Sequence, residues 1–213
     1  MSEILPVDRD HPDDGVLRRV VDVVGSGGLI VYPTETLYGI GADATNPVAL
    51  RKIPGVKRRT DRKPILVIVD SVEMMMPLVE DIPPVARLLM ESLWPGPLTL
   101  VFSASKRVAP ELTQGTGTIG IRIPSSRLCL RLTYLLGVPL TSTSANISGT
   151  ESSRAIGGMA GSLNGIDIFL DAGELPESLP STIVDVSGAV PRVLRDGAVS
   201  VDELRHIVTE IET

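Results

Sequence analysis

VYPTETLYGIG, residues 31–41, has an apolar approach, a polar centre and an apolar return. The approach, Gly27-Gly28-Leu29-Ile30-Val31, has the pattern of a buried strand, read over Leu29 to Tyr32. Ordinary turn chemistry after such a strand is Gly, Pro, Asn or Asp. Here Thr34, Glu35, Thr36 and Tyr38 occupy the lip instead. Such a group reads either as a turn or as one wall of a binding site, and only the rest of the chain separates the two.

Outward from this stretch, strands and helices alternate without a linker or repeat. Asp13 to Val24 carries Val16, Leu17, Val20, Val21, Val23 and Val24 on a helical face closed by glycines 25, 27 and 28. Asn46-Pro47 is a cap followed by a first-turn proline, and Pro54-Gly55 is expected to interrupt that helix before a basic cluster. PILVIV (64–69) reads as a second buried strand. Helices are expected over Pro84 to Leu93 and Arg127 to Leu136, and strands over Leu98 to Phe102 and Thr118 to Ile123. Short strands follow near Pro139 to Thr141, Ile166 to Leu170, Thr182 to Val186 and Val190 to Leu194, and Ser200 with Glu203 forms a capping-box pattern. Many β-branched strands without strict β-α-β alternation point to a mixed α/β sheet rather than a doubly wound one.

The 213 residues are 43% hydrophobic, enough for one compact domain spanning 1–213. Met1-Ser2-Glu3 lacks a basic leader, and no apolar run approaches the ~18 residues of a membrane span, so a cytoplasmic protein with no membrane contact is expected. Cys129, the single cysteine, reads as a packed helix position. With only His11 and His206 beside it, no zinc site can be assembled; a metal would be a hard ion, Mg2+ brought by a phosphate ligand. Charge is unevenly spread. Residues 51–63 hold seven cations against Asp61 and carry +6; the whole chain carries −6, so the remainder carries −12. A positive focus in an acidic protein suits a compact polyanion such as a nucleoside triphosphate, although a basic run can also be a solvated surface.

Polar groups gather at further strand ends: KRRTDRK, TGTIGIR, TSTSANISG, PSTIVD and LRDG. Hydroxyls and backbone donors near glycine can wrap phosphates and carboxylates closely. No histidine lies near them, no G-x-S-x-G elbow is present, and GTGTIG lacks the lysine of a phosphate loop. Cations and hydroxyls without a nucleophile or histidine base suit a reaction in which the substrate brings its own nucleophile. Attack of a carboxylate-like oxygen on the α-phosphate of ATP is such a reaction.

Taken in order, these motifs resemble the YrdC/Sua5 family of threonylcarbamoyl-AMP synthases. The resemblance rests on YPTETLYGIGADA (32–44), Lys57-Arg58-Arg59 as a K-x-R, Lys63-Pro64, TIGIRIP (118–124), STSANISG (142–149) as an S-x-N, STIVD (181–185) and LRDGAVS (194–200). It covers about residues 14–200 and implies an open, twisted mixed β-sheet with flanking helices and a deep concave cavity. The type implied is the short, single-domain one without the C-terminal Sua5 domain. The implied reaction joins L-threonine, bicarbonate or CO2 and ATP into L-threonylcarbamoyladenylate and pyrophosphate. A separate transferase complex would then modify adenosine 37 of tRNAs that read codons beginning with A.

The resemblance places Lys57, Arg59, Ser144 and Asn146 at the catalytic centre. Thr34, Thr36, Tyr38, Arg122, Ser142 and Ser181 fall at L-threonine, with Arg122 suited to its carboxylate. ATP would meet Lys57, Arg59, Lys63, Thr118, Ser144, Asn146, Ser152 and Arg195. The chain departs from the family at Ile68, where many members have histidine, and at Asp196, where proline is usual. Pro54-Gly55 and Ser153-Arg154 are further departures. Two other readings stay open: a non-catalytic module that binds tRNA or double-stranded RNA or acts in ribosome maturation, and a divergent paralogue with another small substrate. Against RNA stand the acidic remainder and the few aromatics, two Phe, three Tyr and one Trp.

Overall fold

A computed structural model describes residues 2–58, 63–150 and 153–213. The first half holds β1 (Glu3–Pro6), α1 (Asp14–Gly25), β2 (Ile30–Pro33), β3 (Tyr38–Gly41), α2 (Pro47–Leu50), α3 (Ile53–Val56), β4 (Val67–Ile68), α4 (Val72–Met75) and α5 (Pro84–Leu93). Then come β5 (Leu98–Ser103), α6 (Pro110–Thr113), β6 (Thr118–Arg122), α7 (Arg127–Leu136), β7 (Leu140–Thr141) and β8 (Thr143–Ser144). The last elements are β9 (Ile168–Asp171), β10 (Thr182–Asp185), β11 (Arg192–Arg195) and α8 (Val201–Ile207).

The opening stretch is an antiparallel hairpin, with Ile30 opposite Gly41 and Pro33 opposite Tyr38. Its second strand was not expected, because Gly39 and Gly41 resemble turn residues. Packing requires at least one of them: a Cβ on Gly41 would lie 2.9 Å from both Ile30 Cγ1 and Tyr32 Cε1. Thr34 closes the turn. Its hydroxyl donates to the Leu37 carbonyl at 2.7 Å and accepts from the amides of Thr36 and Leu37, both at 3.1 Å. Threonine therefore does here what aspartate does in an Asx turn.

The expected mixed α/β fold is present, with its strands hydrogen-bonded into two sheets. One has the order β1-β9-β2-β3-β8, the other β11-β10-β5-β6-β4-β7, and each mixes parallel and antiparallel pairs. The segment 139–144 belongs to both: Leu140 and Thr141 pair with β4, whereas Thr143 and Ser144 pair with β3. Thr141 is the stitch. Its amide donates to the Ala42 carbonyl at 2.9 Å, and its hydroxyl accepts from Ala42 N at 2.8 Å and donates to the Ile40 carbonyl at 3.1 Å. Tyr32 Oη donates to the Thr141 carbonyl at 3.0 Å.

Helices α1 and α7 cover this seam. Leu17, Val20 and Val24 join Leu128, Cys129 and Leu132 in a cluster with Ile30, Tyr32, Ile168 and Leu170 of one sheet and Ile68 and Leu140 of the other. Both helices carry side-chain caps, Asp13 accepting from Gly15 and Val16 amides and Ser126 from Cys129 N. Cys129 is a core thiol, and burial pushes its pKa up to about 12. A larger apolar cluster occupies the remaining interior around Leu100, Ile119 and Phe102.

Elsewhere the structure redraws details. The break near the basic cluster falls at Arg51-Lys52, and Pro54-Gly55 lies inside α3, where Pro54 occupies the first turn and removes no helical donor. PILVIV pairs as a strand only at Val67–Ile68. Strand β1, unexpected because it ends in proline and holds a charge, runs parallel to β9. No helix among the described residues is long and apolar enough to cross a membrane.

Two outcomes follow from the seam and the core. Thr141→Val leaves the Ala42 N–H without its buried hydroxyl acceptor and is expected to cost about 1–3 kcal/mol, read as a lower urea midpoint at unchanged m-value. Cys129 is expected to resist a thiol reagent at pH 8 in the native protein and to react fully once the chain is unfolded.

Candidate active site

The two sheets and the seam enclose a cavity of about 900 Å³. Each wall follows from one local feature. The hairpin tip supplies Thr34, Thr36 and Leu37, and the seam supplies Ser142, Thr143, Ser144 and Asn146. Strand β6 contributes Thr118 and Arg122, β5 contributes Thr99 and Val101, and Ser181, Ile183 and Asp185 alternate inward along β10. Lys57, Arg58 and Lys63 line a further wall, so the cavity is strongly cationic. All twelve described residues that the sequence assigned to the site line this one space. Arg59 and Ser152 lie outside the described residues.

Lys57 is buried, 4% exposed, and its ammonium is built into the seam. Nζ donates to the Ser144 carbonyl, to the Asn146 carbonyl at 3.1 Å and to Asn146 Oδ1 at 3.2 Å. Ser144 Oγ donates to Asn146 Oδ1 at 2.6 Å, and Ser148 N donates to the Lys57 carbonyl at 2.9 Å. The K-x-R lysine and the S-x-N segment are thus one hydrogen-bonded unit. Next to it, Arg58 lines the cavity with a left-handed backbone, φ +48°.

Arg122 forms the ion pair of the site. Nη1 donates to Glu35 Oε1 at 2.7 Å, with side chains only 6% and 17% exposed. Glu35 Oε2 is buried without a hydrogen-bond partner. Beside this pair, Arg195 donates from Nε and Nη2 to the Ser181 carbonyl at 3.1 and 2.7 Å, and from Nη2 to Ser181 Oγ at 3.0 Å. Ser181 Oγ and Thr99 Oγ1 are 2.9 Å apart. Burial, then the charge of Arg122, lower the Arg195 pKa.

Tyr38 borders the cavity, but its hydroxyl is used elsewhere, donating to the Gly173 carbonyl at 2.8 Å and accepting from Ala172 N at 3.0 Å. Asp196 is exposed and is not among the lining residues. Ile68 lines the floor beside Arg122 in the β4–β6 register. Sequence reasoning left Glu35 without a role and overlooked Thr99 and Asp185. Thr99 sits in an apolar run, LTLVF, with nothing to mark it. Asp185 was quoted only within a motif, and it is the one carboxylate lining the cavity among the described residues.

No described group of three or more His, Cys, Asp or Glu could hold a metal. The site offers cations and hydroxyls for phosphate oxygens and a guanidinium for a carboxylate. That donor set suits two different anions in one space.

A family model for Sua5, YciO and YrdC proteins, described as "Telomere recombination", matches residues 22–197. The chain belongs to the Sua5/YciO/YrdC family. It is 33% identical over 204 residues to the threonylcarbamoyl-AMP synthase of Pyrococcus abyssi, covering 95% of this chain and 60% of that protein. A putative threonylcarbamoyl-AMP synthase of Mycobacterium leprae is 35% identical, covering 98% of this chain and 94% of its own. Among solved structures, that of P. abyssi Sua5 complexed with L-threonine superposes with a TM-score of 0.94 at 32% identity, covering 99% of this chain and 62% of that one. The chain thus spans about three fifths of the archaeal relative's length and nearly all of the mycobacterial one's.

Gly197 keeps the Sua5/YciO/YrdC-family motif LRDG closed on Ser181. A Cβ there would fall on the Pro180 carbonyl oxygen and lie 2.6 Å from Thr182 N, backbone atoms that cannot swing away. Gly197→Ala is expected to destabilise by about 1–3 kcal/mol in denaturant unfolding.

Proposed function

We propose that the chain is an L-threonylcarbamoyladenylate synthase. One observation carries the reading: a single cationic cavity places a buried guanidinium, Arg122, and a lysine-braced hydroxyl and amide loop, Ser144 to Asn146, around the same space. Its relatives named for this activity, one of them complexed with L-threonine, support the substrate assignment.

In this reading the threonine carboxylate meets Arg122, with Ser142, Ser181, Thr34 and Thr36 around it. The threonine amine adds to CO2, or to bicarbonate with loss of water, to give the N-carboxylate, and the amine proton leaves to solvent. The new carbamate oxygen attacks the α-phosphorus of ATP, the bond to the bridging oxygen breaks, and pyrophosphate departs with its electron pair. The nucleophile is already anionic, so no protein base is needed for this step. Arg58 and Lys63 offset phosphate charge beside Arg59, Thr118 and Arg195, while Lys57 holds Ser144 and Asn146 in place. With Asp185 as the sole lining carboxylate among them, the described residues do not form a protein cage for Mg2+. The ion fits as one bound by the phosphates themselves, and no step here depends on it. The product would feed a tRNA-modifying transferase complex that installs t6A at adenosine 37, in the cytoplasm.

The deciding measurement is pyrophosphate release from ATP with and without L-threonine and bicarbonate. Release that requires both is expected; threonine-independent release, or none, overturns the proposal. Arg122→Ala is expected to raise the threonine KM by about 30- to 1000-fold, the equivalent of about 2–4 kcal/mol. The KM for ATP should change much less, and equal loss for both substrates would remove Arg122 from the threonine end.

A further inference from the structure

Thr99 stands in the apolar run Leu98 to Phe102, on a strand flanked by β10 and β6, and is only 1% exposed. Valine would fill the same volume there without burying a hydroxyl, so the oxygen needs an account. It has one hydrogen-bond partner among the described residues, Ser181 Oγ at 2.9 Å. Ser181 Oγ has one more, Arg195 Nη2, which donates to it at 3.0 Å. Both side chains line the cavity.

Either hydroxyl could be the donor of the Thr99–Ser181 bond, and a count of protons and lone pairs chooses between them. A hydroxyl carries one proton and two lone pairs, whereas a guanidinium can only donate. Arg195 therefore occupies one Ser181 lone pair. If Ser181 gave its proton to Thr99, the Thr99 proton would be left at a 1% exposed position without an acceptor, the costly kind of unmade bond. If Thr99 gives its proton to Ser181, nothing in the wall is left over. Both Ser181 lone pairs are then filled, and its own proton points away from the two donors into the cavity, to which Ser181, at 6%, is the more open of the pair. Arg122 is the neighbour on that face: Thr99 precedes Leu100, Arg122 follows Ile121, Leu100 pairs with Ile121, and Thr99 and Arg122 both line the cavity.

We propose that Thr99 is a positioning residue that fixes Ser181 as a one-way hydrogen-bond donor toward an anionic substrate oxygen, the carboxylate of L-threonine beside Arg122. The inference rests on the proposed synthase reading and deepens it. Thr99 acts through Ser181. A hydroxyl free to turn presents a lone pair to an anion as readily as a proton; one whose lone pairs are both occupied presents only the proton. The carboxylate then meets donors from Ser181 and Arg122 alone.

The test is calorimetric titration of L-threonine and, separately, of ATP. Thr99→Val keeps the branched shape and removes the hydroxyl; it is expected to bind L-threonine about three- to tenfold more weakly than the parent, with ATP affinity and the urea midpoint close to the parent's. Thr99→Ser, which restores the donor, is expected to recover the parent affinity. Ser181→Ala should weaken L-threonine at least as much as Thr99→Val, and adding Thr99→Val to it should have no further effect, because the hydroxyl that Thr99 positions is gone. A merely structural Thr99 would instead lower the urea midpoint and weaken both ligands alike. Equal L-threonine affinity in the parent and Thr99→Val, a loss that Thr99→Ser does not recover, or a loss that persists in the Ser181→Ala background overturns the proposal. So does unchanged L-threonine affinity in Ser181→Ala, an arm that leaves Thr99 in place, and so does a parent that binds no L-threonine. Failure of the synthase reading shows elsewhere, as pyrophosphate release by the parent that ignores threonine.

Discussion

Thr141 bonds to the backbone on both sides of residue 41 while its own strand pairs with the other sheet, and the site depends on that double attachment. Two residues further on, the same segment has changed sheets. A chain that changes sheets within five residues exposes backbone polar groups that a regular ladder would satisfy. The Thr141 hydroxyl, the Tyr32 phenol and the Lys57 ammonium take up those groups in turn. The cost of an irregular seam is thereby offset, and what remains is a cleft bordered by both sheets.

Seen from the seam, Lys57 has two aspects. A buried ammonium is tolerated only when oxygens surround it, and here the oxygens belong to Ser144 and Asn146, which line the cavity. Lysine's charge therefore shapes the loop that lines the cavity. Arg122 shows the converse arrangement. Its charge is compensated by a side chain at the hairpin tip, so the hairpin turn and the strand floor are tied together across the cavity. The polar lip of residues 34–38 has a divided structure: Thr34 makes the turn, Glu35 meets the floor, and Tyr38 ties the hairpin to the end of β9.

Where the sequence carried periodic signals it was legible. Helices α5 and α7 lie at the residues their apolar spacing indicated, and Asn46 and Ser200 cap helices as their chemistry suggests. The second hairpin strand was illegible because glycine selected for close packing looks the same as glycine selected for a turn. The division of the strands into two sheets was equally hidden, since pairing partners such as Val67 and Thr141 lie far apart in sequence and local periodicity carries no record of them. For the site, the motif residues were readable from the family resemblance. The Glu35–Arg122 pair spans 87 residues and is marked by neither composition nor spacing.

Arg195 completes the pattern that Lys57 and Arg122 begin. Its guanidinium is engaged with the Ser181 carbonyl and hydroxyl, and Gly197 lets the chain pass so close to residues 180–182 that this clamp is possible. Arg122 thus has a carboxylate as its partner, whereas Arg195 has a carbonyl and a hydroxyl among the described residues. Neutral acceptors orient a cation without cancelling its charge, whereas a carboxylate does both. Among the described residues, then, the Arg122 guanidinium is held by a full negative charge and its neighbour Arg195 by partial ones, so the two present different net charge to the cavity they share.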